Sequence, residues 1–84
     1  MPTLRIKNPA EKDIRDLQAE VRDRITGAIL TLRDDPLPHG VGKLQGMERR
    51  YRLRIGDYRI LYEFDPATQT ITIYRVKHRR EAYR

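Results

Sequence analysis

The sequence of 84 residues contains no cysteine. This excludes a disulfide framework, thiolate metal sites and a cysteine nucleophile, without by itself fixing the compartment. Long apolar runs are also missing, so there is no candidate membrane span or signal peptide and the default expectation is a cytoplasmic protein with no membrane role. There are no internal repeats and no low-complexity linker. Acidic residues are scarce in one half only. Residues 1–42 carry seven Lys/Arg and seven Asp/Glu, whereas residues 43–84 carry eleven and five, so the second half supplies the whole net charge of +6. Such a one-sided excess is the footprint of a face that meets a polyanion. Nucleic acid leads, an acidic protein segment is second, and a membrane surface is third because the basic half reads as strands and not as a basic amphipathic helix. A chain of this length is expected to form one domain, residues 1–84, burying a little over ~60% of its unfolded surface, so a bound partner would add much to its working stability.

What is present begins with a short alternating strand, Leu4-Arg5-Ile6-Lys7. Asn8 as cap and Pro9 in the first turn predict a helix with Ile14, Leu17 and Val21 on one stripe, and Glu11 and Asp13 near its positive end. A second helical pattern through Val21, Ile25, Ala28, Ile29 and Leu32 stops before Pro36, giving a helical hairpin with a break between Leu17 and Val21. Residues 34–42, with Pro36, Pro38, Gly40 and Gly42, read as loop. Three strands follow at roughly 49–55, 58–64 and 70–77, with Asp65-Pro66-Ala67-Thr68 as the second turn. The expected fold is α+β: an N-terminal strand, a helical hairpin, then a three-stranded antiparallel meander with the helices packed on one face of the sheet.

The middle of the meander carries the chemistry. In Tyr51-Arg52-Leu53-Arg54-Ile55-Gly56-Asp57-Tyr58-Arg59-Ile60 the arginines alternate with apolar residues, so Arg52 and Arg54 share one face and Tyr51, Leu53 and Ile55 the other. A two-residue Gly56-Asp57 turn pairs Ile55 with Tyr58 and Arg54 with Arg59. Tyr58, Ile60, Tyr62 and Phe64 then face the helices, and Arg59 faces away. Guanidinium groups opposite each other destabilise a ladder, so the pattern calls for an anion, a carboxylate partner or open solvent. The third strand is ambiguous: Ile71 and Ile73 share parity with Arg75 and Lys77, while Tyr74 and Val76 take the other face.

Lys43-Leu44-Gln45-Gly46-Met47, the run from Tyr51 to Tyr62 and the ending Val76-Lys77-His78-Arg79-Arg80-Glu81-Ala82-Tyr83 resemble the RelE branch of the RelE/ParE toxin superfamily. The likeness spans nearly the whole chain in element order and is most specific in the C-terminal half. It implies a RelE-like fold and the toxin of a type II toxin–antitoxin pair, an endoribonuclease that enters the A site of the 30S ribosomal subunit and cleaves mRNA there without metal or cofactor. The implied partners are the ribosome with its mRNA, a co-expressed antitoxin of the RelB kind expected to be acidic, and operator DNA for the toxin–antitoxin complex only.

Carried over by position, the family's basic cluster falls on Arg52, Arg54 and Arg59, its basic residue after the last strand on Arg79, and its near-terminal tyrosine on Tyr83. Arginine suits phosphorane stabilisation, because its planar fork matches two phosphate oxygens and stays charged. Tyr83 would orient a base or move a proton. Lys43, Arg50, Lys77 and Arg80 complete the candidate RNA-binding set. Positions 52 and 54 depart from the best-known pattern, which has lysines there, and arginine is a poor proton acceptor. The candidates for general base are therefore His78, since imidazole is the side chain whose unperturbed pKa lies nearest neutrality, and Glu48, with ribosomal groups as the alternative. His39 reads as incidental, Asp57 as a turn residue, and Tyr51, Tyr58 and Tyr62 as core. Two other readings keep the basic face: a ParE-like inhibitor of DNA gyrase, and an RNA- or antitoxin-binding module without catalysis. The blandest reading makes the arginines only the solvated side of a half-buried meander.

Overall fold

The computed structural model describes residues 2–44, 46 and 48–80. In chain order they form β1 (Thr3–Ile6), α1 (Asn8–Arg15), α2 (Ala19–Asp34), β2 (Gly42–Lys43), β3 (Arg50–Ile55), β4 (Tyr58–Asp65) and β5 (Thr70–His78). The five strands make one mixed sheet in the order β1-β5-β4-β3-β2. The antiparallel meander β3-β4-β5 is its centre, β1 lies parallel to β5 on one edge, and β2 is antiparallel to β3 on the other.

The helices cover one face, as the apolar patterns require. Ala10, Ile25, Ile29 and Leu32 are buried against Ile60, Tyr62, Ile71, Ile73 and Val76. The helix break falls at residues 16–18, slightly earlier than the spacing suggested. Lys7, not Asn8, caps α1, and no side chain bonds that helix end. The Tyr62 hydroxyl donates to the Pro36 carbonyl at 2.7 Å, which ties the loop after α2 to the sheet and directs the chain into β2. The sequence pattern makes this segment loop up to residue 42, whereas the structure begins a strand at Gly42. Two residues carry no periodicity of their own, and Gly42 and Lys43 become strand only by pairing with Arg52 and Tyr51.

The hairpin register follows the expectation: Ile55 pairs with Tyr58 and Arg54 with Arg59. Gly56 has φ +58, a conformation that glycine adopts without steric penalty. The ambiguous third strand is resolved by a β-bulge. Tyr62 pairs with Ile73 but Leu61 pairs with Arg75, leaving Tyr74 as the extra residue. Parity therefore switches within the strand. Ile71, Ile73 and Val76 are all buried in the core, while Arg75 and Lys77 take the open face with Leu61 and Arg59.

Candidate functional site

Because cross-strand partners project to the same side of a sheet, the registers arrange the open face in rows. The row nearest the Gly56 turn is Arg54, Arg59 and Lys77 across β3, β4 and β5. The next is Arg52, Leu61 and Arg75, and the third begins with Arg50 opposite Glu63. Six cations thus share a surface three strands wide. Arg59 is the innermost, only 6% exposed between Arg54 and Lys77. Charges held this closely in a partly dehydrated setting attract an anion more strongly than the same charges spread over a solvated surface.

Local features aim several of these side chains. Gly42 lies beside Arg52 at the sheet edge, and a Cβ there would come within 2.9 Å of Arg52 Nη2. The glycine gives the guanidinium room to lie over β2. Arg75 forms a two-pronged ion pair with Asp13 of α1, Nε to Oδ2 at 2.8 Å and Nη2 to Oδ1 at 3.1 Å. Asp13 Oδ2 also accepts from the Val76 N–H at 2.9 Å, on the edge of β5 that the end of β1 leaves uncovered. Burial raises the Asp13 pKa, but the Arg75 hydrogen bonds, the Val76 N–H and the charges of Arg75 and Lys77 outweigh it and hold the carboxyl below its ordinary 3.8. Tyr74, the bulge residue, donates its hydroxyl to Glu63 Oε2 at 3.2 Å, and the Arg50 guanidinium carbon sits 4.2 Å from its ring centroid.

The structure brings Arg50, Arg52, Arg54, Arg59 and Lys77 together on one face. It separates others. Lys43 is exposed at the sheet edge in register with Tyr51, on the opposite parity from Arg52. His78 pairs with Tyr58, its ring edge-on at 5.2 Å, and so belongs to the helix side of the sheet and not to the arginine rows. The bulge is the reason. Arg79 and Arg80 lie in the turn after β5; the Arg79 N–H donates to the Asp57 carbonyl at 2.7 Å and its guanidinium lies 3.8 Å from the Asp57 carboxylate, both side chains well exposed. Glu48 is exposed in the turn before β3. Tyr83 lies outside the described residues. Among the described residues no group of three or more His, Asp or Glu could hold a metal ion.

Sequence reasoning missed Tyr74, Glu63, Arg75 and Leu61 as parts of this face. For Glu63 the signal was available, since β4 alternation places it two residues beyond Leu61 and four beyond Arg59. Residues 4–83 match the family model described as ParE toxin of type II toxin-antitoxin system, parDE. The chain belongs to the RelE/ParE family of type II toxins. Its relatives place it on the RelE side. It is 30% identical over 76 residues to the putative toxin RelE1 of Methanocaldococcus jannaschii, covering 87% of this chain and 84% of that protein. To toxin RelG of Mycobacterium tuberculosis it is 30% identical over 83 residues, covering 98% and 95%. The RelE–RelB complex of Pyrococcus horikoshii contains a chain that superposes with a TM-score of 0.82 at 28% identity, covering 93% of this chain and 94% of that one. This is a RelE-type toxin with the RelE-like α+β fold.

Proposed function

We propose that this RelE-type toxin is a ribosome-dependent endoribonuclease, cleaving mRNA in the A site and so stopping translation. The observation that carries the reading is the row Arg54, Arg59 and Lys77, with Arg59 almost wholly buried between two other cations. In the cleavage the 2′-hydroxyl oxygen bonds to the adjacent phosphorus and the P–O5′ bond breaks. The hydroxyl proton leaves to an acceptor, and the 5′-oxygen takes a proton as it departs. Arg54 and Arg59 supply fixed positive charge to the phosphorane, the step for which a planar guanidinium is best suited. Arg52 stands in the next row, Arg79 would reach the phosphate from the turn after β5, and Tyr83 orients a base or moves a proton. No metal is needed for these roles.

His78 stands with Tyr58 on the other parity and Glu48 is exposed outside the strand, so neither belongs to the arginine rows. Proton acceptance therefore falls to ribosomal groups, and Tyr83 is left to orient the base or to protonate the departing 5′-oxygen. This makes the ribosome a chemical as well as a positioning partner. The antitoxin partner is an acidic segment that neutralises this face, in keeping with the RelE–RelB assembly of the archaeal neighbour.

The test is primer extension on mRNA held by programmed ribosomes with the purified protein. Cleavage at the A-site codon should fall about 10²-fold or more in Arg59→Ala. Tyr83→Phe should also reduce it, whereas His78→Ala and Glu48→Ala should leave it within about threefold. The match to the ParE family model favours a second reading, inhibition of DNA gyrase. Gyrase-dependent DNA breaks without A-site cleavage would establish that reading in place of the first.

A further inference from the structure

Past the row of Arg52, Leu61 and Arg75 the open face sinks into a cleft of about 430 Å³. Leu61 and Leu44 form its apolar floor and Pro9 lines it from the start of α1. Tyr74 stands in it with Arg50 laid over its ring, Lys7 brings further positive charge, and Arg75, held by Asp13, adds its side chain to the wall. An apolar occupant would dehydrate those cations without compensation, and an acidic peptide would leave the apolar floor and the flat Arg50–Tyr74 pair unused. A nucleotide uses both. Its base has a π-face for the guanidinium and ring and an apolar edge for the leucines, and its phosphate meets the cations.

We infer that this cleft is a nucleobase subsite, holding one unpaired base of single-stranded RNA against Arg50 and Tyr74. The inference rests on the RNA-cleaving reading of the same face. Arg59 and Glu63 are four residues apart on β4, about 13 Å along the strand. The base held here therefore belongs to a neighbour of the nucleotide whose linkage sits on the Arg54–Arg59–Lys77 row. Arg50 and Tyr74 are binding residues. Glu63 accepts a hydrogen bond from the Tyr74 hydroxyl at 3.2 Å beside them.

The test compares equilibrium binding of the whole protein to a short single-stranded RNA and to the same ribose-phosphate strand made fully abasic. The wild type should prefer the intact strand, and Tyr74→Leu should lower that preference about tenfold while leaving the salt dependence of binding unchanged. Tyr74→Phe keeps the ring and should stay within about threefold of the wild type. A wild-type measurement covers the case in which Tyr74→Leu does not fold: RNA carrying 4-thiouridine should photocrosslink to the β5 peptide that contains Tyr74, and crosslinks confined to other peptides would overturn the inference. An unchanged base preference in folded Tyr74→Leu, or a variant weakened only toward an acidic peptide, would overturn the subsite and leave the RNA reading standing. Absence of any salt-dependent RNA binding by the wild type would remove the RNA reading itself.

Discussion

Asp13 is the anchor between α1 and the open edge of β5, and its removal should be among the most destabilising single changes near the open face. The carboxylate accepts three hydrogen bonds, two from Arg75 and one from the Val76 N–H, with the Asp13 side chain 17% and the Arg75 side chain 41% exposed. A charge-assisted bond to the buried backbone N–H contributes about 1.5–3 kcal/mol. The exposure of Arg75 limits the ion pair to about 1 kcal/mol or less. Asp13→Ala should therefore cost about 2–4 kcal/mol, which for a domain of this size lowers Tm by about 10–25 °C. Asp13→Asn keeps an acceptor for Val76 and should cost about half as much. The effect carries a pH signature. Because the folded carboxyl titrates below its ordinary 3.8, its contribution is full well above that value and is lost as pH falls through it toward the folded pKa. Thermal melts of wild type and Asp13→Asn should thus converge progressively as the solution is acidified from neutral pH through and below 3.8. A gap that stays constant across that range, or an unchanged Tm at pH 7, would refute the reasoning.

Other changes separate architecture from the site. Tyr62→Phe removes the bond to the Pro36 carbonyl and should lower stability by about 1 kcal/mol in a urea titration. Burial, then Tyr51 and Asp35, raise the Tyr62 pKa above its usual 10, so the wild type should lose stability as pH climbs past 10 with a one-proton contribution that Tyr62→Phe lacks. Gly42→Ala should leave Tm unchanged or slightly higher, because the clash is with the far end of the Arg52 side chain, yet it should weaken ribosomal cleavage by displacing that guanidinium. Deleting Tyr74 should yield a folded protein by circular dichroism, since the ladder closes with Arg75 still opposite Leu61. Deleting Val76 instead moves Lys77 into the helix-facing slot opposite Ile60 and should abolish cooperative unfolding.

Much of the fold is legible because local signals agree with one another. Gly56-Asp57 between two alternating runs determines the β3–β4 register, and that register alone puts Arg54 beside Arg59. The helices are readable from their stripes, and Ile25, Ile29 and Leu32 are all buried as the spacing requires. What could not be read depends on partners distant in sequence. β2 exists only through Arg52 and Tyr51, and Asp13 meets Arg75 across 62 positions, so an acid that looked like a dipole-stabilising residue of the first helix is instead the anchor of the last strand.

The bulge at Tyr74 explains why the third strand could not be assigned a face from its pattern. Without it, the parity that buries Ile71 and Ile73 would also turn Arg75 and Lys77 toward the helices, desolvating two cations in the core. With one extra residue, Val76 enters the core and both cations return to the open face. The same shift carries His78 to the Tyr58 side, which is why the histidine among the base candidates is not in the arginine rows. It also leaves the Tyr74 side chain on the open face beside Arg50 and Glu63. A single irregularity in β5 thus decides three properties of this face: its charge, the placing of His78 away from it, and the aromatic platform at its far end.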